Sequence, residues 1–259
     1  MTGIQKERFQ VDPTLSLGTS EVTPLEMASG FGAFANGGIL IPPHAIKKIE
    51  DRHGRELFNA GTIKPVKATD EKTAFIMTSM MKEVIESGTA SYAIKRGAGF
   101  RLPCAGKTGT NTGFRDAWFI GYTPDIVAAV WIGCDSPEYS LGSGQSGSVS
   151  AAPVWGKFMA EVYKTREKVS FPGKPAGVVE KYVCSVTGGI PDKGCPSRKE
   201  FFIPGHEPAE KCDGLHGRLS NIKELVNKGK RKMSPDKGTS LFNEETPEEK
   251  FEEESFFFD

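Results

Sequence analysis

The chain has 259 residues, 37% of them apolar, which is enough for a sizeable core. Lys plus Arg and Asp plus Glu both total 33, and the resulting net charge of +0 excludes a uniformly basic nucleic-acid surface. No apolar run approaches the roughly 18 residues that would cross a bilayer, and polar residues follow Met1, so an export signal or anchor is expected outside this chain.

The first predicted element is a helix. Thr23 supplies the N-cap, Pro24 the first turn and Glu26 a capping box, while Leu25, Met27, Ala28, Phe31, Phe34 and Ala35 recur at helical spacing up to the Asn36-Gly-Gly38 stop. The stretch from Pro42 to Phe58 reads as an exposed hairpin, and its His44 and His53 read as surface residues. Thr69 and Asp70 can cap a second helix with an apolar stripe of Ala74, Phe75, Met77, Met80, Met81, Val84 and Ile85, ended by Gly88.

The period changes between Ala105 and Gly133. Two turn signals, Asn111-Thr-Gly113 and Thr123-Pro-Asp125, divide this stretch into three antiparallel strands. Arg115 and Asp116, at a strand start, read as an ion pair or a turn cap without a catalytic role. A Gly- and Ser-rich loop from Leu141 to Ser150 leads into a last helix, where Val154, Trp155, Phe158, Met159 and Val162 are expected to cover one face of the sheet. The order of helices, sheet and helix predicts an α+β fold.

Three regions follow from these changes of composition. Residues 1–166 hold the α+β portion, 167–217 a small Cys-containing extension with a short strand at Phe201-Phe-Ile203, and 218–259 a tail of charge blocks expected to be disordered. The closing Phe256-Phe-Phe258 reads as part of a frayed terminus.

The motif that carries chemistry is Lys107-Thr-Gly109, followed by Thr110, on the first of the three strands. A strand can lay its backbone beside an extended peptide, with Lys107 and the hydroxyls of Thr108 and Thr110 expected to point into the adjacent cleft. Gly109, without a Cβ, would permit close approach. In acyl transfer Lys107 would hold positive charge near a substrate carboxylate and near a hydroxyl losing its proton. Thr108 and Thr110 would donate to the carboxylate, and the Thr110 N–H would face the oxyanion.

Three blocks make the pattern specific: Leu17 to Gly38, Gly106-Lys-Thr-Gly-Thr110, and Arg115-Asp-Ala-Trp-Phe-Ile-Gly-Tyr-Thr-Pro124. Together they resemble class A, bifunctional penicillin-binding proteins, over about residues 15–165 and more loosely to about 216. The resemblance implies a serine-type D,D-transpeptidase with the serine β-lactamase-like fold, acting on peptidoglycan stem peptides and acylated by β-lactams, with no cofactor. It implies an extracytoplasmic location and an anchor missing from this chain. A serine β-lactamase or D,D-carboxypeptidase, and a noncatalytic wall-binding remnant, are the rival readings.

Such enzymes place a Ser-x-x-Lys nucleophile motif and then Ser-x-Asn ahead of Lys-Thr-Gly. The 106 residues before Lys107 are read as containing neither, so the chain is expected to be an inert fragment lacking its nucleophile. Ser220 to Lys223 and Ser234 to Lys237 fit the first pattern, but lie after Lys107 and are read as chance matches.

Five cysteines, an odd number, leave the redox compartment open. Cys184, Cys195 and Cys212, with His206 and His216 nearby, admit either a zinc site or a disulfide with one spare thiol, and the exported location implied by the resemblance favours the disulfide. Cys104 and Cys134 flank strands and are expected to be buried small apolar residues.

Overall fold

The computed structural model describes residues 13, 15, 18, 20–136, 138–214 and 216. Helix α1 spans Pro24–Ala35 and is capped as the sequence requires: the Thr23 hydroxyl oxygen accepts the Glu26 N–H at 3.2 Å, and the Glu26 carboxylate accepts the Thr23 N–H at 2.8 Å. Its buried face is formed by Gly30 and Ala33, while Leu25 is 63% exposed. Small residues let the helix sit close to the sheet, with Phe31 meeting the Tyr122 ring edge-on at 6.4 Å. Past its end Gly38 has φ +93°, and a Cβ there would lie 2.5 Å from the Thr69 carbonyl oxygen, so both conformation and space require glycine.

Strand β1 (Ile39–Leu40) pairs antiparallel with β4 (Val66–Lys67), and between them β2 (Lys48–Glu50) and β3 (Glu56–Asn59) form the expected exposed hairpin. His44 and His53 are exposed. Helix α2 spans Glu71–Glu86, with the Asp70 carboxylate accepting the Thr73 N–H at 3.0 Å. Ala74, Met81 and Ile85 are buried, but Met80 faces solvent; its place on the buried face is taken by Thr78, whose hydroxyl bonds the Tyr122 hydroxyl at 2.8 Å. A π-helical turn, Tyr92–Gly97, buries Ala93 and Ile94.

The central sheet consists of β5 (Ala105–Thr110), β6 (Asp116–Tyr122) and β7 (Val127–Gly133), antiparallel in that order. Alternation along the strands divides them into two faces. One face carries Ala117 and Phe119 and packs on α3 (Ala152–Val162), where Trp155 and Met159 are fully buried. The other carries Ala105 and Tyr122 and packs on Met81, Phe31 and Phe34. Val154 and Phe158 of α3 are half exposed, so the buried face of α3 is formed by Ala152, Trp155, Gly156 and Met159. A second π-helical turn, Gly147–Ala151, leads into α3.

Beyond Tyr163 the chain is exposed from Lys164 to Ser170, then packs Phe171 on Tyr122 and buries Val178 before a hairpin of β8 (Val179–Cys184) and β9 (Ser197–Phe202). The Phe201 and Phe75 rings meet in a T-shaped arrangement with their centroids 5.1 Å apart, Phe75 coming from α2. No helix among the described residues is long and apolar enough to cross a membrane. The tail expectation for 218–259, with the Ser220 and Ser234 matches and Phe256-Phe-Phe258, lies outside the described residues.

Cys104 is buried at 3% exposure, as expected, but Cys134 is exposed. It stands one residue past the end of β7, where the chain has left the outer strand of the sheet.

Candidate functional site

Lys107, Thr108, Gly109 and Thr110 all lie on β5, which pairs with β6 on one side only; among the described residues no strand covers its other edge. That edge offers backbone donors and acceptors to an extended ligand. Thr108 and Thr110 pair with Phe119 and Ala117 and share their face, whereas Lys107 pairs with Ile120 and shares the opposite one. Lys107 and the two hydroxyls, expected to point into a cleft together, therefore leave opposite faces of the strand, and a ligand laid along the free edge would meet them from its two sides.

The Lys107 ammonium is exposed and donates to the Thr108 carbonyl at 2.9 Å. The Thr108 hydroxyl lies 3.3 Å from that of Thr89, just after α2. The Thr110 hydroxyl oxygen accepts the Gly147 N–H at 3.0 Å. Gly109 has a packing reason, because a Cβ there would lie 3.0 Å from the Cβ of Trp118.

The turn after β5 is held by Asn111, whose side-chain oxygen accepts the N–H groups of Arg115 at 2.8 Å and Asp116 at 3.0 Å. The Asp116 carboxylate accepts from Asn111 at 2.6 Å and from Trp131 Nε1 at 2.8 Å. Asn111 rather than Arg115 or Asp116 is thus the turn cap. Ser140 reaches back to donate to the Gly113 carbonyl at 2.7 Å, fastening the Gly- and Ser-rich loop to the tip of the β5–β6 hairpin.

One Ser-x-x-Lys match does precede Lys107: Ser79-Met-Met-Lys82, which corrects the reading that the pattern is absent there. It lies in the middle of α2, not at a helix start. Three residues apart, Ser79 and Lys82 share a helix face. They line a cavity of about 240 Å³ together with Phe34, Phe75, Phe171 and Phe201, and no residue of β5 lines it. Lys82 Nζ sits 4.3 Å above the Phe171 ring, and burial pulls its pKa down. The pattern is present, but it opens onto a different part of the molecule from Lys-Thr-Gly.

A second cluster lies in the small module. The sulfurs of Cys184, Cys195 and Cys212 and the His216 ring lie within 4.8 Å of one another. His216 Nε2 is 3.1 Å from Cys184 Sγ, 3.7 Å from Cys195 Sγ and 3.0 Å from Cys212 Sγ. The disulfide expected among these residues is not formed in the structure, where all three are free thiols. His206 is exposed and stands apart from the cluster. Burial opposes ionisation of Cys184, but the N–H groups of Thr187 and Val186 and the Thr187 hydroxyl outweigh it and pull the thiol down to about 6. The interaction with Cys212 raises the pKa of His216.

Comparison with known proteins accords with this architecture. Residues 1–160 match the family described as penicillin binding protein transpeptidase domain, and residues 174–216 match penicillin-binding protein 1A, C-terminal domain. The chain belongs to the penicillin-binding protein transpeptidase family and has its α+β fold. It is 39% identical over 182 residues to penicillin-binding protein 1A of Neisseria gonorrhoeae, an alignment covering 68% of this chain and 22% of that protein. The Clostridium tetani protein of the same name is 37% identical over 211 residues, 80% of this chain and 26% of its own length. Among solved structures, penicillin-binding protein 1A from Haemophilus influenzae superposes with a TM-score of 0.71 at 27% identity, covering 82% of this chain and 36% of that one. The chain thus spans about a quarter of the length of the curated relatives it matches.

Proposed function

We propose that this chain forms one wall of a D,D-transpeptidase site that cross-links peptidoglycan stem peptides through a serine acyl-enzyme and is acylated by β-lactams. The observation that carries the reading is Lys107-Thr-Gly109 and Thr110 on β5, whose outer edge pairs with no strand among the described residues. A stem peptide would add as a strand to that edge, its terminal carboxylate meeting the Thr108 and Thr110 hydroxyls on one side and the Lys107 ammonium on the other. Thr110 can still donate, because accepting the Gly147 N–H leaves its own proton available. As the serine attacks the penultimate D-Ala carbonyl, negative charge moves to the carbonyl oxygen, where the Thr110 N–H would stabilise it. The proton given up by the serine passes to the leaving D-Ala amine; an amine of a second stem peptide then accepts the acyl group and its proton returns to the serine.

The nucleophile in this reading is not supplied by the chain. Ser79 lacks the helix-start position and the adjoining Lys-Thr-Gly that the chemistry needs. We further propose that residues 1–166 belong to the transpeptidase domain and 167–217 to a separate extension, and that the intact protein works outside the cytoplasm on a membrane anchor.

Two measurements test this. The full chain incubated with a labelled penicillin should gain no covalent mass; a stoichiometric adduct mapped to any of its serines would overturn the proposed inertness. Translation of the nucleotides immediately upstream of the Met1 codon should continue in frame through Ser-x-Asn and Ser-x-x-Lys segments. A stop codon with a start signal would instead favour a noncatalytic wall-binding remnant.

A further inference from the structure

We propose that Cys184, Cys195, Cys212 and His216 bind one structural zinc ion that holds the small module together. This inference is independent of the acyl-transfer reading, since it concerns a different site and a different chemistry.

Geometry is the main argument. With Zn–S about 2.3 Å and Zn–N about 2.0 Å, a tetrahedral site sets S···N about 3.5 Å and S···S about 3.8 Å. The three S···N separations of 3.0, 3.1 and 3.7 Å bracket the first value, and all four ligand atoms lie within 4.8 Å of one another. A disulfide would use two sulfurs and leave the third thiol and the ring unexplained. Four converging atoms suit a metal.

The backbone brings these atoms together from three separate segments. Cys184 ends β8, and its N–H donates to the Gly189 carbonyl at 2.8 Å, folding a tight turn against it. Cys195 lies just before β9 begins, at the other limb of the same hairpin. A parallel bridge between Ile190 and Lys211 then carries Cys212 alongside, with the Cys212 N–H donating to the Ile190 carbonyl at 2.8 Å. His216 follows four residues later. Besides the N–H groups already described at Cys184, backbone N–H groups point at the other two sulfurs: Asp192 to Cys195 at 3.3 Å, and Gly214 to Cys212 at 3.4 Å. Such donors offset the negative charge that three thiolates bring to a metal.

Stability supplies the second argument. The module, residues 167–217, has about fifty residues, a size at which a metal or disulfides usually supplement the small core. Its buried apolar side chains among the described residues are Val178, Val183, Cys184 and Cys212, so half of that small core is made of two of the ligands themselves. Tyr182, Val186 and Ile190 are exposed and contribute little to it.

The chemistry of the donors selects the ion. Three thiolates and one imidazole in a tetrahedral array suit zinc, and four protein ligands leave no open position, which makes the site structural rather than catalytic. Binding releases the thiol protons to solvent and needs no redox partner.

The test uses the full 259-residue chain, purified with its thiols reduced, equilibrated with zinc and desalted. Elemental analysis should find about one zinc per chain. Cobalt(II) in its place should give the visible bands of a tetrahedral site together with thiolate charge transfer in the near ultraviolet. Cys195→Ser and His216→Ala should each lower the zinc retained after desalting at least tenfold, while His206→Ala and Cys134→Ser should retain it. The wild-type measurements decide the matter even where the ligand variants do not fold. A wild-type chain that binds no zinc overturns it. So does a chain exported to an oxidising compartment that carries a disulfide among these three cysteines and no metal.

Discussion

The Thr110 hydroxyl oxygen accepts the Gly147 N–H across 3.0 Å, tying the strand that bears Lys-Thr-Gly to the π-helical turn that starts α3. Gly147 is buried, so its N–H has little access to water in place of this partner. The approach is close on every side: a Cβ on Gly147 would lie 2.3 Å from the Trp118 carbonyl oxygen and 2.5 Å from that of Gly109. The conformation of β5 is therefore set from behind by a residue far along the sequence.

Gly147→Ala should force β5 and the turn apart and lower stability by about 1–3 kcal/mol, the range of an overpacked interior. Thr110→Val leaves the Gly147 N–H unpaired and should cost about 1–3 kcal/mol. Urea unfolding of both variants checks this; a midpoint unchanged from wild type for Gly147→Ala would mean that the contact is not closed in solution.

Trp155 is fully buried, with its ring against Phe119 at 5.3 Å and Phe100 at 5.7 Å, and its Nε1–H donates to the Gly121 carbonyl at 3.2 Å. Trp155→Ala should cost about 3–5 kcal/mol. Thermal unfolding followed by circular dichroism should show the largest loss among single substitutions in α3, with Phe158→Ala close to wild type because that ring is half exposed.

Burial pushes the Cys104 thiol up to about 12, whereas Cys134 is exposed. At pH 8 an alkylating reagent should modify Cys134 within minutes and leave Cys104 untouched until the chain is unfolded. Peptide mapping after a timed quench reads both sites, and equal rates would contradict the packing described for Cys104.

Burial likewise raises the Tyr122 phenol to about 12, against a smaller opposing effect from its hydrogen bond to Thr78. The fold therefore favours the neutral phenol. This contribution is complete below the unfolded value of about 10 and is lost as pH climbs from there through about 12. Ultraviolet titration of wild type against Tyr122→Phe should reveal one phenol ionising late; a difference curve centred near pH 10 would refute its burial.

Much of the fold was legible because local signals agreed with tertiary ones. The capping box at Thr23 and Glu26 and the two turns that divide Ala105 to Gly133 are short-range codes, and the chain follows them. Strand β8 was not legible: Val179-Glu-Lys-Tyr-Val-Cys184 mixes charged and apolar residues, and Tyr182 stays exposed, so no alternation betrays it. The Ser79-Met-Met-Lys82 match lies inside an apolar helix stripe whose packing already accounts for its residues. The separation of Lys107 from Thr108 and Thr110 could have been read from the period of two alone. For the cysteine cluster the spacing held a usable signal, since Cys212 and His216 are four apart, but their meeting with Cys184 and Cys195 depends on the bridge between Ile190 and Lys211, which no local pattern encodes.

The contacts that Phe201 makes with Phe75, and Phe171 with Lys82, cross the exposed stretch from Lys164 to Ser170. A protease that nicks this stretch would sever the covalent connection without removing those contacts. The two pieces should then travel together through a sizing column and part only in denaturant, so that the link between them is a tether the molecule can lose and still keep its halves in company.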